Sequence, residues 1–167
     1  SALEDIFQGR KELFKGLYIY GTDYDWKTYP IIHFSFNIFQ GTTNKELIYT
    51  LDFLVSEMAE KHDVKLEKDM PYYLKFGKLI DALAVQDKVV ILVDEYDKVL
   101  SDNIFNPEVE AMRATMKGFY EVIKAKEACL RFAFITGVTK YAKLSIFSTM
   151  NNLTDLTMDK DYATMLG

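Results

Sequence analysis

Two acidic residues follow the most hydrophobic strand candidate of the chain, and a threonine ends the next one. Asp94 and Glu95 come directly after the apolar run "VVILV" at residues 89–93, and Thr136 ends the segment "LRFAFIT" that begins at residue 130. Phosphoryl transfer from a nucleotide needs a metal ion that neutralises the phosphates, a group that orients or deprotonates the attacking water, and a polar contact to the terminal phosphate. Carboxylate and hydroxyl side chains can fill these three needs.

The place of each residue in the chain indicates which role it could take. An aspartate at the tip of a buried strand can hold Mg²⁺, usually through water, so Asp94 is the candidate metal ligand. Glu95 can face the attacking water, because the chain already turns at the end of a strand. Thr136 is the candidate for the phosphate contact. The alternative is that residues 94–97 are only the solvated turn after a strand, since four apolar residues followed by Asp-Glu form a loose pattern.

A parallel sheet would bring these residues together. Five consecutive apolar residues rich in β-branched side chains, at 89–93, predict a strand that is buried on both faces. Residues 30–37 and 130–136 are further strand candidates, and right-handed crossovers place the three strands in one sheet. In open α/β sheets, ligands bind in the crevice outside the carboxyl ends of the strands, which is where the polar residues stand.

Helical patterns occupy the segments between these strands. Residues 3–7 have the apolar spacing of the end of a helix, and Thr43 and Glu46 have the spacing of a capping box at the start of another. A further helix is predicted to open at Pro71, and one more near residues 106–107. The alternation of strands and helices predicts an α/β domain with a parallel sheet and helices on both faces.

Composition excludes several classes of protein. The length of 167 residues suits one domain, and Lys and Arg are scattered through a chain of net charge −5, which argues against autonomous nucleic-acid binding. No apolar run approaches the ~18–20 residues that span a bilayer, and no signal-peptide pattern opens the chain. We therefore expect a cytoplasmic protein that does not associate with membranes.

The two histidines do not form a metal site by sequence. His33 and His62 lie far apart, and no cluster of cysteines or carboxylates stands at zinc-ligand spacing. His33 falls inside the predicted strand 30–37. We therefore expect it to be a core or boundary histidine whose hydrogen bonds are satisfied.

Five segments of the sequence, in the order in which they occur, are distinctive in their wording of residues. They are "ELFKGLYIY", "DWKTYPIIHFSF", "VVILVDEYDKVL", "FAFITGVTKYAKLSIFSTMNNLTDLTMD" and "YATMLG", and they cover nearly the whole chain. Together they resemble the predicted AAA-ATPase-like family found largely in gut bacteria. Members of that family are P-loop NTPases, often joined at the C-terminus to a domain similar to the PD-(D/E)XK nucleases. The resemblance implies a three-layer P-loop NTPase-like fold, with strand 88–94 between the other two.

The resemblance also implies roles for single residues. It makes Asp94 the Walker B magnesium ligand, Glu95 the catalytic glutamate and Thr136 a sensor-1-like contact to the terminal phosphate of ATP. Lys140, after "TGVT", is a further candidate for a phosphate contact, although a lysine after a strand is usually solvated. The Walker A pattern G-x-x-x-x-G-K-S/T does not occur in residues 1–167. The chain therefore resembles a single partial NTPase domain that begins after its P-loop and lacks the P-loop strand.

Two hypotheses of function follow. The first is an ATP-binding and ATP-hydrolysing domain of a larger bacterial protein, which uses ATP and Mg²⁺ and is inactive alone because its P-loop is missing. The second is a non-catalytic α/β interaction module that has lost nucleotide binding. The missing loop favours the second for this chain, and the intact "DEYD" favours the first for its parent. A nuclease-like C-terminal partner is implied by the resemblance alone.

Overall fold

The three predicted strands form one parallel sheet. The computed structural model describes residues 1–138, 146–147 and 153–156 of the chain. The strands are β1 (Ile31–Ser35), β2 (Val89–Asp94) and β3 (Leu130–Ile135), and their order in the sheet is β1-β2-β3. Both pairs of neighbouring strands run parallel. The prediction of a single parallel sheet with the most apolar strand in the middle is confirmed.

Helices precede and connect the strands in the described part of the chain. Within the described residues they are α1 (Ala2–Phe7), α2 (Asn44–Lys61), α3 (Tyr72–Ala84), α4 (Lys98–Ser101) and α5 (Val109–Ala125), with 3-10 turns at Lys11–Phe14, Tyr18–Gly21, Phe36–Ile38 and Glu127–Cys129. The predicted capping box opens α2, because the backbone N–H of Glu46 donates to Thr43 Oγ1 at 3.3 Å and the backbone N–H of Thr43 donates to Glu46 Oε2 at 3.0 Å. The four-residue α4 is too short to leave a helical period in the sequence. In the described part of the chain, no helix combines the length and the apolar composition needed to cross a membrane.

One face of the sheet packs against α2, α3 and α5 and forms the larger part of the core. At its centre, the rings of Phe76 and Phe119 stack with their centroids 4.9 Å apart. Phe34 of β1 meets both rings edge-on, at 5.2 and 5.4 Å. All three side chains are fully buried, and aromatic pairs of this kind add about 0.5–1.5 kcal/mol beyond the burial of their area.

The opposite face of the sheet is covered by α1. Phe7 and the partly buried Leu3 pack there against Val90 and Leu92 of β2 and against Phe132 of β3. Because side chains alternate along a strand, these residues belong to the set that ends at Asp94 and Thr136. The expectation of helices on both faces of the sheet is therefore confirmed, and α1 lies on the face to which Asp94 and Thr136 belong.

The strand β3 is an edge of the sheet in the described part of the chain. Residues 89–93 of β2 are all buried, whereas every residue of β3 is partly or largely exposed. The partly exposed residues of β3 include Phe132, Phe134 and Ile135. No described strand pairs with the side of β3 that faces away from β2. Such an edge presents unpaired backbone N–H and C=O groups next to apolar side chains.

Candidate functional site

Asp94 and Thr136 meet at the carboxyl end of the sheet. Asp94 is the last residue of β2 and Thr136 directly follows β3, and Thr136 Oγ1 donates a hydrogen bond to Asp94 Oδ1 at 2.8 Å. The ladder continues past the strands, because the N–H of Thr136 donates to the carbonyl of Val93 at 2.8 Å and the N–H of Tyr96 donates to the carbonyl of Thr136 at 3.0 Å. The predicted proximity of Asp94 and Thr136 is thereby confirmed.

Glu95 has a strained backbone, and its side chain has no partner among the described residues. Its φ is +56°, in the left-handed region that residues other than glycine rarely adopt, and the strain costs about 1–2 kcal/mol. Its side chain is partly exposed, and no described residue forms a hydrogen bond or ion pair with its carboxylate. Strain of this kind persists where the surrounding structure enforces it, and it concentrates at functional sites. Here the paired backbones on both sides of Glu95 enforce it.

The turn after β2 is locked to the turn after β3. The buried carboxylate of Asp97 accepts the N–H of Val138 with both oxygens, at 3.2 and 3.1 Å. A Cβ at Gly137 would lie 2.4 Å from Cε1 of Tyr96 and 2.5 Å from Oδ1 of Asp97, so only glycine fits there. The separation between the two turns is therefore set by packing and by these hydrogen bonds.

A layer of aromatic side chains lies beneath this turn. Burial, with the charges of Asp97 and Asp155, raises the pKa of Tyr96 to about 12. Burial also raises the pKa of the fully buried Tyr120 well above its ordinary value, and no described group bonds to its hydroxyl. The ring of Phe147 lies 5.0 Å from that of Tyr96 and 4.9 Å from that of Tyr120. The polar turns thus rest on a layer of packed aromatic rings.

A histidine of β1 binds the other oxygen of Asp94. His33 Nε2 lies 2.8 Å from Asp94 Oδ2, and His33 Nδ1 lies 3.2 Å from Oε1 of Glu4 in α1. Burial acts to raise the pKa of Glu4, but the hydrogen bond from the Ser1 amino group and the charge and hydrogen bond of His33 outweigh it, so this pKa lies below its ordinary value.

His33 is thus the satisfied boundary histidine that the sequence predicts, but its partner is the candidate metal ligand. The sequence gives one signal for this contact, which is the alternation along β1 that places His33 on the same face as Ile31. That alternation predicts the contact only once the parallel register is known. In this register His33 lies opposite Leu92, two residues before Asp94. The role of Glu4 leaves no signal in the sequence, because it depends on how α1 packs across the sheet.

The donor atoms at this end of the sheet suit a hard cation. Asp94 and Glu95 offer carboxylate oxygens and Thr136 offers a hydroxyl, whereas Lys140 lies outside the described residues. Within the described ranges, no group of three or more His, Cys, Asp or Glu side chains is placed to hold a metal ion. Mg²⁺ commonly binds through one or two carboxylates and completes its shell with water and substrate phosphates, so this sparse donor set fits it.

The fold and one family of proteins characterise this chain. The chain forms an α/β domain with a three-stranded parallel sheet, and acidic and hydroxyl side chains meet at the carboxyl end of that sheet. The family described as "Predicted AAA-ATPase" matches residues 1–147, which is most of the chain. The chain belongs to this AAA-ATPase-like family, as its phrases indicate.

A curated relative is much longer than this chain. The "Uncharacterized protein in vnfD 5'region" of Azotobacter chroococcum mcd 1 is 33% identical over 172 residues, which cover 99% of this chain and 32% of the relative. The chain therefore spans about a third of the length of that relative. No solved structure matches the chain.

Proposed function

We propose that this chain is part of an ATP-hydrolysing domain of a larger bacterial protein, and that it supplies the magnesium ligand and the catalytic carboxylate. The observation that carries the proposal is the hydrogen bond of 2.8 Å between Thr136 and Asp94, at the tips of neighbouring parallel strands. Glu95 directly follows Asp94, and its carboxylate has no partner among the described residues. Polar groups at this end of an open α/β sheet are in the position where nucleotide phosphates bind.

Each side chain has a distinct task in this proposal. Asp94 holds Mg²⁺, usually through water, and the bound ion neutralises charge on the phosphates of ATP. Glu95 accepts a proton from the attacking water or orients it, and its carboxylate has no competing partner among the described residues. Thr136 is proposed to lie at the terminal phosphate as a sensor-1-like residue; its single hydroxyl hydrogen is donated to Asp94 in this structure and would have to turn to the phosphate when ATP binds. Lys140 is a further candidate for a phosphate contact.

The phosphate-binding loop is proposed to come from residues that precede Ser1. Residues 1–167 contain no Walker A pattern, so the backbone amides and the lysine that grip phosphates must come from elsewhere. The side of β3 that no described strand pairs with, and its partly exposed apolar residues, support the pairing of a P-loop strand there, which would complete a P-loop NTPase-like sheet. A nuclease-like domain after this chain, a cytoplasmic location and the lack of autonomous nucleic-acid binding stay predictions.

Calorimetric titration with ATP and Mg²⁺, together with a phosphate-release assay, tests this proposal on two proteins. The full-length gene product is expected to bind ATP·Mg²⁺ and to release phosphate. The 167-residue chain is expected to bind weakly and not to turn ATP over, because most of the affinity in such sites comes from the P-loop amides and lysine. Robust turnover by residues 1–167 would contradict the P-loop assignment. A full-length protein that binds no nucleotide would favour the alternative, a non-catalytic interaction module.

A further inference from the structure

We infer that His33, supported by Glu4, is a positioning residue that fixes the Asp94 carboxylate for its metal ion; this inference rests on the proposed function. Asp94 is held at both oxygens, because Thr136 donates to Oδ1 and His33 Nε2 lies 2.8 Å from Oδ2. Glu4 Oε1 lies 3.2 Å from the second ring nitrogen of His33. A line of four side chains therefore crosses the end of the sheet from α1 to the residue after β3.

The fold gives this contact a fixed geometry. His33 and Asp94 belong to the same face of neighbouring strands, and the register places Ser35 directly opposite Asp94, so His33 reaches it along a diagonal. The side chain of His33 is 22% exposed, against 45% for Asp94. An exposed ion pair between long side chains contributes little, since both must be ordered for it. The imidazole ring has only two rotatable bonds and is held on its far side by Glu4.

The chemistry of the carboxylate explains what this support does. A carboxylate has about four acceptor positions, and His33 and Thr136 each occupy one, on different oxygens. The free positions then point in directions set by protein donors and not by free rotation of the side chain. Loss of a hydrogen-bond partner behind a metal ligand typically weakens metal binding by about 10–100-fold.

The test uses full-length protein and reads metal binding as well as activity. Binding of Mn²⁺·ADP is followed by the loss of the free Mn²⁺ electron-paramagnetic signal, and the Mg²⁺ concentration that half-saturates ATP hydrolysis is measured in parallel. His33→Leu keeps a side chain of similar bulk without a donor. It is expected to raise both the dissociation constant and the half-saturating Mg²⁺ concentration by about tenfold or more, with kcat at saturating Mg²⁺ within a few-fold of the parent.

Two further variants separate positioning from general stability. His33→Gln retains a donor that can reach Asp94 and is expected to recover most of the lost metal affinity. His62→Leu is the matched control, because His62 is a partly buried histidine whose Nε2 lies 2.7 Å from the carbonyl of Ile31, and no described hydrogen bond or ion pair joins it to Asp94. It is expected to leave the metal dependence unchanged. Glu4→Gln is an independent, milder probe, expected to weaken metal binding by a few-fold, and it decides the matter if His33→Leu fails to fold.

The outcomes distinguish this inference from the proposed function. If the parent protein binds no Mn²⁺·ADP, both are overturned. If the parent binds it and His33→Leu binds it equally well, the positioning role is overturned and the proposed function stands. Equal weakening by His33→Leu and His62→Leu would also overturn it, because the effect would then be one of general destabilisation.

Discussion

The side chains of the helix-covered core and those at the carboxyl end of the sheet differ in their environment: the first are buried among apolar groups, and the second are partly exposed polar groups. In the core around Phe119, the side chains are fully buried, and the rings of Phe76 and Phe119 stack at 4.9 Å. At the carboxyl end, Asp94 is partly exposed and held by two donors, and Glu95 has a backbone φ of +56° with no described partner for its carboxylate. Burial stabilises the first region. In the second region, the strained backbone of Glu95 lowers stability while the polar side chains are held in place.

This difference means that stability and activity are expected to respond to different substitutions. A change in the core should alter the free energy of unfolding with little effect on the chemistry of the protein that remains folded. A change at Glu95 should alter hydrolysis while leaving stability unchanged or raised. Variants of the two regions therefore test whether the contrast is real.

The largest effect on stability is expected from Phe119→Ala. Removing a fully buried aromatic ring at the contact of β1, α3 and α5 leaves a cavity, and it is expected to lower the free energy of unfolding by about 3–5 kcal/mol. Urea unfolding of the 167-residue chain measures this change. Tyr49→Ala is the control, because Tyr49 on α2 is 74% exposed, and its loss is expected to change stability by less than about 0.5 kcal/mol. Similar losses for the two variants would contradict the assignment of the core.

A smaller loss of stability is expected from Gly137→Ala, which changes the packing between the turn after β2 and the turn after β3. The new methyl group would lie 2.4 Å from Cε1 of the buried Tyr96 and 2.5 Å from Oδ1 of Asp97. Neither group can move away freely, so we expect a loss of about 1–3 kcal/mol from overpacking. Gly21→Ala is the matched control, since nothing lies within 4 Å of the position its Cβ would occupy. Thermal or urea unfolding compares the two, and equal stability would show that the turns are not tightly packed.

Much of the fold could be predicted from local patterns, because those patterns are themselves physical. The run at 89–93 predicts a fully buried strand, and the spacing of Thr43 and Glu46 predicts the start of α2; both agree with the structure. The helix predicted near residues 106–107 begins at Val109, within the usual uncertainty of helix ends. The proximity of Asp94 and Thr136 could also be predicted, since ends of neighbouring parallel strands coincide.

The rest of the site depends on contacts between segments that are distant in the chain. The link from His33 to Asp94 requires the register of β1 on β2, and a shift of one residue would turn His33 to the other face. Gly137 is exposed to solvent and still has no room for a Cβ, which no local pattern could reveal. The positive φ of Glu95 likewise results from the paired backbones around it, because the sequence "DEYD" contains no glycine that would mark a left-handed turn.

The smallest effect is a gain of stability from Glu95→Gly. Glycine adopts a φ of +56° without steric strain, and after its greater freedom in the unfolded chain is counted, we expect a net gain of about 0.5–1 kcal/mol. Asp63→Gly is the matched control, because Asp63 also has a φ of +56° but follows the end of α2. Both variants are expected to gain stability in urea unfolding, and in the full-length protein only Glu95→Gly is expected to lose hydrolysis. A loss of stability in Glu95→Gly would show that the carboxylate has a stabilising partner.

The most direct test of the central claim is the separation of ATP binding from ATP hydrolysis in full-length Glu95→Gln. This variant keeps the size of the side chain and the metal ligand Asp94, and it removes the group that accepts the proton. Calorimetry is expected to give a dissociation constant for ATP·Mg²⁺ within a few-fold of the parent, while phosphate release falls by a factor on the order of 10² or more. Glu60→Gln, on the exposed surface of α2, serves as the control and should hydrolyse ATP like the parent. A Glu95→Gln protein that releases phosphate as fast as its parent would contradict the account.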